Sequence, residues 1–187
     1  MTILVVGAGP TGLTAALELA RAGRPVKVID RKPAPSPLSR AVGINNRSLA
    51  LLEPSGATAA LIAEGVPVRE AVLHDEGWGT TKLRVDAAGG RWPFMLALPQ
   101  DRTEAILAAC LARQGVAIAY GTEFLGFGDD GTRVRLRDAT GEREAAFDRI
   151  IGADGAHSRV RAALGLDFPG FDLPETWSVA DFDAPGL

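Results

Sequence analysis

The spacing of apolar and polar positions changes along the chain, and each change predicts an element. Residues 2–6 read T-I-L-V-V, a β-branched apolar run without alternation, the pattern of a parallel strand buried on both faces. A glycine-rich string, Gly7-Ala8-Gly9-Pro10-Thr11-Gly12, follows at once. Residues 13–22 carry a helical pattern, which Gly23 stops. Residues 26–29 are a second short apolar strand, closed by Asp30. Pro33, Pro35 and Pro37 predict an irregular exposed loop over 32–39. Asn45 or Asn46 caps a helix through Leu49, Leu51 and Leu52, which Pro54 and Gly56 break. A short helix over 57–63 ends at Gly65.

Alternation then takes over. Residues 68–74, 80–85 and 91–98 read as strands, separated by Gly77, Gly79, Gly89 and Gly90, so antiparallel sheet is expected after the opening unit. Asp101 with Glu104 three residues later reads as a capping box. The helix behind it has the apolar stripe Ile106, Leu107, Cys110 and Leu111 and stops at Gly115. Residues 116–119 are a short buried strand. Residues 124–127, 132–137 and 143–147 form a three-stranded meander, turned by Asp129-Asp130-Gly131 and Thr140-Gly141. A strand over 149–152 leads through Ala153-Asp154-Gly155-Ala156-His157-Ser158 into a helix over 159–164, and 176–182 begins another strand. The class is α/β, with a Rossmann-like opening and an antiparallel β-meander.

Composition narrows the choices. At 187 residues the chain is about one domain long. Apolar residues at 47% and charged residues at 23% match an ordinary soluble globular protein. Lys and Arg number 20 against 23 Asp and Glu, so no basic stripe is present to neutralise a phosphate backbone, and no nucleic-acid partner is expected. Cys110 stands alone, which excludes an intramolecular disulfide and a thiolate cluster; His74 and His157 lack zinc spacing, so no metal site is expected. No apolar run reaches about 18 residues, so no membrane span is expected. The short apolar start lacks a basic leader, which points to the cytoplasm.

The glycine string is the strongest chemical signal. Gly7 permits the tight turn out of the strand, Gly9 lets a pyrophosphate approach the backbone, and Gly12 lets the helix pack closely. Unpaired N–H groups at the helix start, aided by the helix dipole, then meet the phosphates. Asp30, 23 residues after Gly7, reaches the ribose hydroxyls of an adenosine. That acid does not separate FAD from NAD. Arg40 and Arg47 are either solvated or clamp a phosphate or a reduced nicotinamide. His74 reads as a partly exposed strand residue, and Cys110 as core. Trp78, Trp92 and Phe94 either line a cavity or simply pack. Asp154 offers a carboxylate to a sugar hydroxyl, and His157 either caps the following helix through its ring or touches the cofactor. Arg159 anchors its motif or contacts a cofactor.

Five strings in order, V-V-G-A-G-P-T-G-L, V-I-D-R, S-R-A-V-G-I-N-N-R-S-L, L-P-Q-D-R-T-E and I-I-G-A-D-G-A-H-S-R-V-R, resemble the FAD-dependent aromatic-ring hydroxylases. These are the single-component flavoprotein monooxygenases with the para-hydroxybenzoate hydroxylase fold, and the phenol, polyketide and antibiotic branch is the most similar. The resemblance covers essentially the whole chain. It implies a Rossmann-like, GR2-type, three-layer FAD-binding domain over 1–175, with inserted antiparallel strands at about 68–98. Residues 176–187 would begin a substrate-domain sheet.

It also implies roles for individual residues. Gly7, Gly9, Pro10, Thr11 and Gly12 would hold the FAD pyrophosphate, Asp30 the adenosine ribose, and Arg31 would lie by the adenine. Arg40 would sit near pyrophosphate and ribityl, and Gln100 would bond the ribityl chain. The backbone of Leu125 would meet the adenine, and Asp154, Gly155 and Arg159 would form the family's Asp-Gly motif, linked to FAD and reduced nicotinamide. NAD(P)H would reduce FAD, and O2 would hydroxylate a small aromatic substrate through a flavin C4a-hydroperoxide. No side-chain nucleophile is required, so no catalytic residue is assigned. The family's later Gly-Asp motif is absent from these residues. They therefore read as the N-terminal part of a larger enzyme, not competent alone, with uncovered apolar surface suited to a homodimer. An NAD(P)-dependent dehydrogenase and a non-catalytic FAD-binding module are the alternatives.

Overall fold

In chain order the elements are β1 (Ile3–Val6), α1 (Pro10–Arg21), β2 (Val26–Asp30), β3 (Gly43–Ile44), α2 (Asn46–Leu52), a 3-10 turn (Glu53–Ser55), α3 (Ala57–Glu64), β4 (Val66–Val68), β5 (Glu70–Asp75), β6 (Gly79–Arg84), β7 (Met95–Ala97), α4 (Gln100–Arg113), β8 (Ile118–Tyr120), β9 (Glu123–Phe127), β10 (Arg133–Asp138), β11 (Gly141–Ala146), β12 (Arg149–Gly152) and α5 (Arg159–Ala163). The computed structural model describes residues 1–37, 41–75, 77, 79–85, 89–128, 133–171 and 173–176.

β1 is buried along its whole length, as an unalternating apolar run requires when both faces of a sheet are covered. It lies inside a four-stranded sheet of order β12-β1-β2-β8, in which every pairing is parallel. Successive side chains go to opposite faces. Val5, Val26 and Val28 pack with Leu13, Ala16 and Leu17 of α1 and Ile106, Leu107, Cys110 and Leu111 of α4. Leu4, Val6 and Ile29 pack on the other face with Phe124, Val134 and Leu136 of the antiparallel meander β11-β10-β9, joined by Val160 of α5. Helices, parallel sheet and meander are the expected three layers.

Local stop signals operate as read. Gly23 takes φ +69°, and the N–H groups of Gly23 and Arg24 close α1 onto the carbonyls of Ala20 and Leu19. Asn45 caps α2 by accepting the Ser48 N–H at 2.8 Å. α1 begins at Pro10, three residues before the expected start. Proline suits a first turn whose N–H has no helical partner, so Gly12 lies inside the helix.

Four expectations are corrected. The capping box is not formed: α4 starts after Pro99, with no side-chain cap, and the Glu104 carboxylate accepts from the Gln100 side chain at 2.7 Å. The Leu98 N–H pairs with the Val42 carbonyl, and Pro99 O already accepts the Thr103 N–H, so the first turn closes before Asp101 can act. The single strand read over 68–74 is two strands in two sheets. β4 pairs with β7 in a sheet of order β3-β7-β4, while β5, among the described residues, pairs with β6 alone. Within 91–98 only Met95–Ala97 is strand, because the Phe94 N–H turns back to the Trp92 carbonyl at 2.8 Å. β8 also sits two residues later than read, since the Val116 N–H completes the C-terminus of α4 on Leu111. Arg40, Trp78, the turn at Asp129-Asp130-Gly131 and residues 177–187 lie outside the described residues. Among the described residues no helix is long and apolar enough to cross a membrane.

Candidate functional site

The ends of β1, β2 and β12 open into a cleft of about 300 Å3 whose walls include Gly7, Gly9 and Asp30. The three glycines of the opening loop do different things there. Gly7 has φ +107°, and a Cβ on it would stand 2.3 Å from the Ala153 carbonyl oxygen, so only glycine lets the loop cross the end of β12. A Cβ on Gly12 would stand 1.9 Å from the Gly7 carbonyl oxygen, which fixes how closely α1 approaches its own loop. A Cβ on Gly9 would meet nothing within 4 Å. Gly9 is also the N-cap of α1, with no side-chain cap and no acid in the first turn. Open space in front of unpaired N–H groups at the positive end of a helix is what a diphosphate requires. Pro10 and Thr11 are the first two residues of that helix.

Asp30 closes β2. Its Oδ2 accepts the Ala8 N–H and its Oδ1 the Lys32 N–H, both at 2.8 Å. A carboxylate has about four acceptor sites, so each oxygen retains capacity for a ligand hydroxyl. Asp30 therefore braces the glycine loop and presents an acceptor to the cleft. Arg31 and Lys32 continue that wall. Tyr120 pairs with Asp30 across β8 and β2. Burial, then the charges of Asp30 and Glu104, hold its phenol above the ordinary value.

The facing wall is the segment after β12, from Ala153 to His157 with Arg159. Asp154 borders the cleft, yet its carboxylate is engaged by α5. Oδ1 accepts from Ser158 Oγ at 2.5 Å, and Oδ2 from the N–H groups of Arg159 at 2.6 Å and Val160 at 3.3 Å. Ser158 Oγ in turn accepts the Arg161 N–H at 3.0 Å. The cap of α5 is thus Ser158 with Asp154, and not His157, which lies in the cleft wall instead. Gly155, with φ +84°, makes the intervening turn. Asp154→Ala is expected to cost about 1–2 kcal/mol, the value of a helix cap. A lower urea midpoint at unchanged slope would register it. An unaltered midpoint would deny those hydrogen bonds any net role.

A third wall comes from Thr122, Glu123 and Phe124. Arg159 Nη2 lies 3.0 Å from Glu123 Oε1, joining this wall to the last. Lys32, Thr122, Glu123, Phe124, Ala153 and Ala156 were not legible in the chain as site residues. The Thr122 N–H reaches the Asp30 carbonyl at 2.9 Å, and the Gly121 N–H reaches that of Lys32 at 2.7 Å, across some 90 residues. No local signal marks such a pairing.

Other expected residues stand elsewhere. Gln100 opens α4, and Leu125 is half-buried in β9 one position past Phe124; neither is in a cleft wall. Arg47 is exposed on α2. His74 is exposed in the β5–β6 hairpin, with Nδ1 2.9 Å from Thr80 Oγ1. Cys110 is core. Trp92 and Phe94 pack edge to face at 6.3 Å against the core, so their role is packing.

A glycine loop, an uncapped helix start and an acid-tipped second strand around one cleft define a dinucleotide-binding domain of Rossmann type. A family model described as FAD binding domain matches residues 1–187, and the chain belongs to that family. Among curated relatives, the 6-methylpretetramide 4-monooxygenase of Streptomyces rimosus is 40% identical over 186 residues, covering 96% of this chain and 33% of the relative. The pentachlorophenol 4-monooxygenase of Sphingobium chlorophenolicum is 36% identical, covering 92% of this chain and 33% of the relative. Among solved structures, the anhydrotetracycline hydroxylase OxyS from Streptomyces rimosus matches with a TM-score of 0.81 at 31% identity, over 92% of this chain and 36% of that one. The chain spans about a third of the length of the relatives it matches.

Proposed function

We propose that this chain carries the FAD cleft of a flavoprotein monooxygenase that hydroxylates a small aromatic or polyketide-like substrate with NAD(P)H and O2. The observation that carries the reading is the open space at Gly9 before the uncapped start of α1, beside the carboxylate of Asp30. The names of the relatives, a methylpretetramide and a chlorophenol monooxygenase, support the substrate class. Bound FAD supplies hydride acceptance and oxygen activation.

The protein's own work is then to bind and orient. The Gly7–Gly12 loop takes the pyrophosphate on backbone N–H groups, and Asp30 takes the ribose hydroxyls. Arg31 borders the adenine, and Asp154, Gly155 and Arg159 shape the facing wall. Arg40, Gln100 and the backbone of Leu125 are the remaining contacts of this proposal, Arg40 and Gln100 toward the ribityl chain and Leu125 toward the adenine. Exclusion of water from the reacting ring falls to the longer protein, of which the relatives' lengths give the scale. A cytoplasmic location and a homodimer complete the proposal. Leu166, Phe168, Phe171 and Leu173, all more than half exposed, supply apolar surface for association.

Asp30→Ala tests the cleft. Losing one or two charge-assisted hydrogen bonds is expected to weaken FAD by about 1.5–3 kcal/mol, roughly ten- to hundredfold. Titration of flavin-free protein with FAD, alongside a thermal melt, reads this directly. A change below about twofold in a folded variant would remove Asp30 from the ribose.

A further inference from the structure

Given FAD in the cleft as proposed above, we infer that Glu123 is a positioning residue for the adenosine half of the ligand and acts through Arg159. Glu123 follows the segment that is tied by backbone hydrogen bonds to residues 30 and 32, the ribose end of the cleft. Arg159 comes from the opposite wall and is held twice. Its N–H donates to Asp154 Oδ2 at 2.6 Å, and its guanidinium Nη2 pairs with Glu123 Oε1 at 3.0 Å.

The Glu123 carboxylate serves a second cation. Its Oε2 lies 3.6 Å from Arg137 Nη1, whose Nη2 pairs with Glu142 at 2.6 Å. Glu123 is the most sheltered of these groups, its side chain 22% exposed against 48% for Arg159 and 53% for Arg137. It therefore stands between two guanidinium groups that would otherwise repel one another.

Removing its charge frees Arg159, a long cation whose cleft also holds the carboxylates of Asp30 and Asp154. Asp154 already accepts three hydrogen bonds from the start of α5, whereas Asp30 accepts two and keeps capacity on both oxygens. A released guanidinium is thus drawn toward the oxygens that the ribose hydroxyls need. Glu123 keeps Arg159 on the rim and leaves Asp30 to the ribose.

The test compares two probes on the flavin-free full chain, ADP and its 2′,3′-dideoxy analogue, by competition with FAD. Glu123→Gln is expected to weaken ADP about five- to tenfold, the scale of one charge-assisted hydrogen bond, and to leave the dideoxy analogue within about twofold. In an Arg159→Gln background the same substitution should add less than about twofold, because residues acting as one unit do not add. Equal loss of both probes, no loss of ADP, or a full additive effect beside Arg159→Gln would each overturn the assignment. Should Glu123→Gln not fold, Glu123→Asp, with its shorter reach, gives the same contrast. A wild-type chain that binds neither FAD nor ADP would overturn the FAD reading itself, an outcome distinct from the other three.

Discussion

Gly9→Val is expected to leave the domain folded and to abolish FAD binding. The backbone at Gly9 has φ −77° and ψ 179°, extended geometry in which valine is at ease. Nothing lies within 4 Å of the position its Cβ would take, so the added branch begins in open space. The fold loses only the difference between glycine and valine as an N-cap, about 1 kcal/mol. The isopropyl group, however, occupies the space in front of the first N–H groups of α1, the place proposed above for the pyrophosphate. An affinity loss of more than about a hundredfold is expected, equivalent to roughly 3 kcal/mol. Flavin titration gives the affinity, and a thermal melt shows that the fold survives. A folded variant with less than a tenfold loss would move the pyrophosphate away from this loop.

Gly12→Ala should do the opposite and strike the fold. The added methyl would stand 1.9 Å from the Gly7 carbonyl oxygen and 2.9 Å from its carbon, and backbone atoms cannot swing aside as a side-chain tip can. α1 would have to lift from its loop, pulling Leu13, Ala16 and Leu17 out of the helix-side core. A cost above about 4 kcal/mol is expected, in the range reserved for core overpacking and strain. That is a large part of the total stability of a domain of ordinary size, about 5–15 kcal/mol. At about 2–4 °C per kcal/mol the melting temperature should fall by roughly 8 °C or more. A melting point within about 2 °C of wild type would show that the loop yields, and would weaken the argument from close approach.

Much of the architecture is written locally. β1, α1, β2, the stop at Gly23, a cap at Asn45 or Asn46 and the apolar stripe of α4 were readable because period, caps and glycine stops act within a few residues. The glycine loop and Asp30 were readable for the same reason, since they fall within one strand–helix–strand unit. The letters alone could not say that Gly9 faces open space while Gly7 and Gly12 are wedged against backbone, because that depends on where β12 and α1 come to rest. Nor could they show that Asp154 is engaged by α5, a duty assigned when the helix folds back over its carboxylate.

The elements that moved have a common cause. Residues 68–74 divided between two sheets because β4 pairs with β7 while β5 pairs with β6. The start of α4 shifted because Leu98 was already paired with Val42. In each case a partner distant in sequence outbid a local signal of at most a kcal/mol or so. The cleft follows the same division. Its glycine loop and acid tip were determined by the sequence itself, through backbone geometry that only those residues permit. Its third wall, and with it Glu123 and the bridge to Arg159, was decided by the tertiary structure, because parallel pairing of β8 with β2 is what carries residues 122–124 to the side of Asp30.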